Sequence, residues 1–169
     1  MIELATEIGG LLRAKRLTLA TAESCTGGLL GDMITDVPGS SDYFVGGVIS
    51  YSDEAKERLL GVRRETLMEE GAVSEETARE MARGARDLFH SDLALAITGI
   101  AGPGGGTEEK PVGLVYIALA APGEELCERH VWQGDRGENK RRSAERALEL
   151  LKEYLEGGGS QVSGSRFQV

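Results

Sequence analysis

The sequence predicts a single layered α/β/α domain with a mixed sheet that includes a C-terminal hairpin. Three observations carry this. Segments with helical apolar spacing alternate with short runs rich in apolar and β-branched residues, as helices layered on a sheet require. "LALAIT" (93–98) is continuously apolar, the pattern of a central strand covered on both faces. Two strand-like runs flank Pro122-Gly123 near the end of the chain, which reads as a hairpin.

Each element follows from its own residues. Leu4, Ile8, Leu11 and Leu12 share one face of a helix over 2–15. "LTLATAE" is a short strand bounded by the Ser-Cys-Thr-Gly-Gly turn, and "GLLGDMITDV" is a helix ended by Pro38-Gly39. "YFVGGVISYS" is the second strand, its Gly46-Gly47 pair marking a bulge or a close backbone approach. Ser52, with Asp53 and Glu54 behind it, starts a short helix that ends by Gly61. Ser74 opens a longer helix whose apolar stripe is Ala78, Met81, Ala82, Ala85, Leu88 and Phe89, with His90 at its end. After the strand at 93–98 comes the glycine-rich loop "GIAGPGGGTEEKP". "VGLVYIALAA" and "LCERHVWQ" form the hairpin, the second as an edge strand because neither of its faces is purely apolar. The last helix runs from about Glu138 to Leu155 on a stripe of Ala144, Ala147, Leu148, Leu151, Tyr154 and Leu155. The domain thus spans 1–156, and the Gly/Ser-rich stretch 157–169 reads as a flexible tail.

Composition narrows the function. A net charge of −9 argues against non-specific nucleic-acid binding, which needs a basic face. No apolar run is long enough to span a bilayer, and the acidic start "MIELATEIGG" is unlike a secretory signal, so a cytoplasmic protein is expected. Cys25 and Cys127 are too few for a disulfide framework, and with His90 and His130 they show no metal-ligand spacing, so no metal is expected.

In an open α/β sheet the ligand site lies beyond the carboxyl ends of the strands. "ESCTGG", "SYSDEAK" and "TGIAGPGGGTEEKP" all fall at such ends. Ser24 is placed either to cap the following helix or to act as a nucleophile beside free backbone N–H groups, with Gly27 and Gly28 keeping the approach open. Neither histidine falls at this edge, so the base to look for is a lysine. Lys56, near the positive end of its helix, is the candidate against the reading of a solvated surface lysine. Tyr51 either orients it and passes a proton or packs as a strand aromatic. Cys25 is a rival nucleophile, but a packing role fits it better. "GPGGGT" matches no standard phosphate loop. It reads as a surface loop or as a source of N–H groups for an anion.

"TAESCTGG", "PGSSDYFVGGVISYSDEAK", "GAVSEETAREMA" and "TGIAGPGGGTEEKPVGLVY", in that order, resemble the CinA C-terminal domain family of nicotinamide-nucleotide amidases, over about residues 3–155. The resemblance implies hydrolysis of the nicotinamide mononucleotide carboxamide to nicotinate mononucleotide and ammonia, without a cofactor, by a homo-oligomer. It implies Ser24 as nucleophile, with Lys56 and Tyr51 as its partners and donors near Thr26 and Gly27 for the oxyanion. For the rest of the substrate the candidates are Gly28, the loop with Thr98, Gly99, Ala101 and Gly102, and Arg141 or Arg142, whose other reading is a solvated face. Many relatives carry a further N-terminal domain, for which this sequence lacks the length, so only the amidase part is expected. The alternatives are a non-catalytic nucleotide-binding or interaction module, in which Ser24 only caps its helix, and a cysteine amidase.

Overall fold

The computed structural model describes residues 2–157. The chain runs α1 (Ile2–Lys15), β1 (Leu19–Glu23), α2 (Leu29–Thr35), a 3-10 turn (Ser40–Asp42), β2 (Phe44–Ile49), α3 (Asp53–Leu60), α4 (Arg64–Glu69), α5 (Glu75–Phe89), β3 (Leu93–Gly99), β4 (Leu114–Ala121), β5 (Glu124–Val131) and α6 (Arg136–Gly157). The five strands form one sheet in the order β2-β1-β3-β4-β5. β1 pairs in parallel with β2 and β3, whereas β3–β4 and β4–β5 are antiparallel, so the sheet is mixed and closes on a hairpin. The tail reading over 158–169 lies outside the described residues, and Gly157 is the last residue of α6.

The two faces of the sheet differ in side-chain size. Along β1 and β3, Leu19, Leu93, Leu95 and Ile97 point to the layer holding α1, α2 and α6, while Ala20, Ala22, Ala94 and Ala96 point to α5. Ala118 and Ala120 of β4 continue the small face. "LALAIT" is therefore an alternation of large and small apolar groups, each set serving its own layer. With only methyl groups in the way, α5 lies close on the sheet through Ala78, Met81, Ala82 and Ala85.

Several expected details shift. α4 is absent from the sequence reading: six residues with no apolar stripe give no periodic signal, and the Thr66 hydroxyl anchors it by donating to the Glu80 carboxylate of α5 at 2.6 Å. Leu88 is exposed, Tyr154 is half-buried, and Leu150 is fully buried between the stripe positions. The register irregularity near Gly46-Gly47 falls between Leu19 and Ala20 of β1, which pair with Phe44 and Gly46. The glycines themselves answer to crowding, since a Cβ on Gly46 would meet Phe89 and one on Gly47 the Thr21 hydroxyl. Ser52 and Ser74 cap α3 and α5 as expected, accepting from Ala55 and Thr77 N–H at 3.0 and 3.1 Å.

α3 is seated on α5 at Gly84, where any Cβ would overlap the backbone carbonyl of Leu60. Gly84→Ala should therefore push α3 away and destabilise the domain by about 1–3 kcal/mol or more. The solvent-open Gly10→Ala in α1 should instead stabilise it by about 0.5–1 kcal/mol. Urea unfolding midpoints of the two variants check the contrast; equal shifts would contradict this packing.

Candidate active site

Parallel pairing of β1, β2 and β3 brings three carboxyl ends to one edge. Ser24, the first residue beyond β1, donates its N–H to Ile97 O of β3 at 2.9 Å, and Ser50 beyond β2 donates to Glu23 O at 2.8 Å. Ser24 and Ser50 are thus held side by side across the strand ends. α3 begins three residues after Ser50 and turns Lys56 back toward them.

Lys56 is 1% exposed, and its Nζ lies 2.9 Å from Ser24 Oγ, 2.7 Å from Ser50 O and 3.2 Å from Tyr51 O. An ammonium would use all three of its hydrogens here. A neutral amine has two hydrogens, which suit the two carbonyls, leaving its lone pair to accept the Ser24 hydroxyl proton. Burial lowers the Lys56 pKa from the ordinary lysine value, against opposing effects of Asp53 and Cys25. No carboxylate touches the amine among its hydrogen-bond partners.

Ser24 does not cap α2. The carboxylate of Glu23, itself 2% exposed, accepts from the N–H groups of Gly28, Leu30 and Gly31 at 3.2, 2.9 and 3.0 Å. Gly28, at the N-cap position, has no side chain to offer and takes a left-handed φ of 108°; Gly27 has φ 61°. Neither lines the cavity at Ser24, and their use is conformational. Cys25 packs in the core, and burial pushes its thiol up to about 11, so it is not a thiolate near neutral pH.

A cavity of about 180 Å³ opens on the dyad. Ser24, Tyr51 and Lys56 line it together with Thr98, Gly99 and Ala101, and Cys25 also reaches it. Thr98 is locked by its hydroxyl, which donates to Ala72 O at 2.7 Å, and Ala72 and Val73 form part of the wall. A larger groove of about 470 Å³, bounded by Asp53, Arg58 and Met68, contains no candidate nucleophile.

Other expected residues fall elsewhere. Tyr51 reaches Lys56 through its backbone carbonyl, while its hydroxyl accepts from Arg136 Nη2 at 3.3 Å. The N–H of Gly27 donates to Ser24 O at 3.1 Å, which removes it as an oxyanion donor. The N–H groups of Cys25 and Thr26 donate to no other backbone carbonyl among the described residues. Thr26 is buried with its hydroxyl unpartnered. Gly102 does not line the cavity; its carbonyl accepts from Arg136 Nη1 at 2.6 Å.

Arg141 and Arg142 do not line it either, and Arg142 lies over the Trp132 ring, 5.9 Å from its centroid. The basic group at the cavity is Arg136. Lys140, one helical turn further on, places its Nζ 3.9 Å from where a Cβ on Gly27 would stand. Positions 136 and 140 share one face of α6, whereas 141 and 142 turn away by ~100–200°. Asn139 on the same side pins the loop, donating to Ala101 O at 3.0 Å.

Because burial lowers the folded-state pKa of Lys56, the unfolded chain binds its proton more readily. The stability of the protein relative to Lys56→Met should thus rise with pH from the lowered value up to the ordinary lysine value of 10.5, and be lowest below that window. Urea denaturation across pH 6–10 tests the sign; a difference that falls with pH refutes it.

The family comparisons agree with this architecture. A family model described as the CinA C-terminal domain matches residues 1–155. The chain is 54% identical over 153 residues to a putative competence-damage inducible protein of Halothermothrix orenii, covering 90% of this chain and 37% of that protein. It is 51% identical over 156 residues to a CinA-like protein of Chloroherpeton thalassium, covering 90% and 37%. The chain therefore spans little more than a third of the length of the curated relatives it matches. The crystal structure of the competence/damage inducible protein CihA from Agrobacterium tumefaciens superposes with a TM-score of 0.89 at 42% identity, covering 92% of this chain and 94% of that one. A CinA superfamily protein from Escherichia coli superposes at 0.87 and 34% identity, covering 90% and 89%. By sequence, by fold and by the extent of both matches, the chain belongs to the CinA C-terminal domain family.

Proposed function

We propose that the domain is an amidohydrolase that releases ammonia from the carboxamide of nicotinamide mononucleotide through a Ser-Lys acyl-enzyme. The observation that carries this reading is the buried Lys56 amine 2.9 Å from the Ser24 hydroxyl, with two carbonyls taking its remaining hydrogens. A desolvated amine weakens the fold below its pKa, a cost that chemistry at Ser24 would repay.

In the proposed reaction, neutral Lys56 accepts the hydroxyl proton as Ser24 Oγ bonds to the carboxamide carbon. The oxyanion develops toward the N–H groups of Cys25 and Thr26. Lys56 then gives its proton to the departing nitrogen, which leaves as ammonia as the C–N bond breaks. Water attacks the resulting ester, Lys56 takes a proton from it and returns one to Ser24, and the carboxylate product leaves. A cavity of about 180 Å³ is below the ~300–1,000 Å³ typical of whole drug-sized ligands, so it suits the carboxamide-bearing ring alone. The ribose and phosphate then extend past Tyr51 toward Arg136 and Lys140, two cations on one face of α6.

Nicotinamide mononucleotide with ammonia detection tests the reading. Ser24→Ala and Lys56→Ala should each lower kcat by on the order of 10³-fold or more, while Cys25→Ala keeps turnover. The wild-type rate should fall as pH drops through the lowered Lys56 pKa. Full turnover by Ser24→Ala would end the serine mechanism.

Arg136→Ala should lower kcat/KM by about 10- to 100-fold, mainly through KM, as loss of a charge-assisted hydrogen bond predicts. Arg141→Ala and Arg142→Ala should leave kcat/KM near wild type. Steady-state kinetics of the three variants separate the two faces of α6.

A further inference from the structure

Glu23 is a buried carboxylate that the proposed chemistry does not use. It sits next to the nucleophile, at 2% exposure, and its three side-chain hydrogen bonds all go to backbone N–H groups. No side-chain cation pairs with it among the described residues. Its counter-charge is the N-terminal end of α2, where three backbone dipoles converge on it.

Position explains how it reaches. Glu23 shares the β1 face of Leu19 and Thr21, which looks into the α2 layer, so its side chain projects directly under the start of that helix. Oε1 accepts from Gly28 and Leu30, and Oε2 from Gly31. The intervening turn is held at three of its N–H groups. Ser24 N–H is bound to Ile97, Gly27 N–H to Ser24 O, and Gly28 N–H to the Glu23 carboxylate. The backbone of the same residue serves the other half of the dyad: Glu23 O accepts from Ser50 N–H, and Ser50 O accepts from Lys56 Nζ.

We propose that Glu23 is a positioning residue: its carboxylate fixes the Ser24–Gly28 turn against α2, so that the Ser24 hydroxyl meets the Lys56 amine in reactive geometry. This rests on the Ser-Lys reading of the site but not on the identity of the amide substrate. Two consequences follow. The first turn of α2 is already occupied by an anion, which directs the substrate phosphate to the α6 side of the cavity. Ser24 is also relieved of any capping duty, which leaves its hydroxyl for Lys56. A misplacement of about 1 Å at such a site lowers rate by on the order of 100-fold, so one hydrogen-bond change here has a readable effect.

The test uses Glu23→Gln and Glu23→Ala in the full chain. Two readouts are taken on samples whose circular dichroism shows the native fold. One is ammonia release from nicotinamide mononucleotide. The other is the rate at which a fluorophosphonate probe labels Ser24, followed by intact mass. Gln keeps the Oε1 acceptor for Gly28 and Leu30 but turns an NH₂ toward the Gly31 N–H. Glu23→Gln should then lower kcat and the labelling rate together by about 10- to 100-fold, with KM within twofold. Glu23→Ala should lose more, so that Gln is a partial rescue; where Ala fails to fold, Gln alone decides. Folded variants labelled at the wild-type rate overturn the proposal, as does a change confined to KM. A wild type that labels at Ser24 but releases no ammonia refutes the substrate reading and leaves the Glu23 comparison to the probe. A wild type that does not label at Ser24 overturns both.

Discussion

The site depends on one unfavourable act, the removal of the Lys56 amine from water. A lysine at 1% exposure is stable only where its hydrogens find acceptors, and here Ser50 O and Tyr51 O supply them from a loop rather than from a carboxylate. A carboxylate would hold the proton on nitrogen; two neutral carbonyls orient the amine without charging it. Every neighbouring element serves that geometry. β1 and β2 run parallel so that Ser24 and Ser50 end level, α3 is capped by Ser52, and Gly84 lets α3 sit hard against α5.

The two layers contribute in different ways. The α5 side is built of small groups, Ala20, Ala22, Ala94, Ala96, Ala118 and Ala120, and close packing leaves α3 little room to move. The opposite layer uses leucine and isoleucine, and its long helix α6 brings Arg136 to the cavity, holds Ala101 through Asn139 and places Lys140 beside Gly27. Lys56 thus comes from one layer and Arg136 from the other, with the strand ends between them. Glu23 links the arrangement, because its side chain holds the α2 start and its backbone carbonyl holds Ser50.

Much of the fold is legible in local patterns. Apolar periodicity marks α1, α5 and α6, Ser52 and Ser74 announce their helices, and Pro122-Gly123 marks the hairpin. The short polar helix α4 has no such pattern and is held by Glu80, eleven residues beyond its end, so nothing within it signals a helix. At the site, the residues around Ser24 leave it as either cap or nucleophile, and nothing local gives Glu23 a role. Glu23 takes the cap because strand alternation sends it, not Ser24, under α2.

Arg136 shows the same limit. A run of Lys140, Arg141 and Arg142 draws attention in the sequence, and an arginine between Asp135 and Gly137 does not. Which cation faces the cavity depends on the rotation of α6, set by Ala144, Ala147, Leu148 and Leu151 burying against the sheet. By itself the sequence determined the order of the elements other than α4 and the edge at which the motifs gather, because these follow from periodicity and turn residues, while the family resemblance singled out Ser24 and Lys56. Tertiary structure alone decided the burial that lowers the Lys56 pKa, the cap on α2 and the α6 cation at the cavity. Those are matters of burial and direction, and both are set by residues distant in the chain.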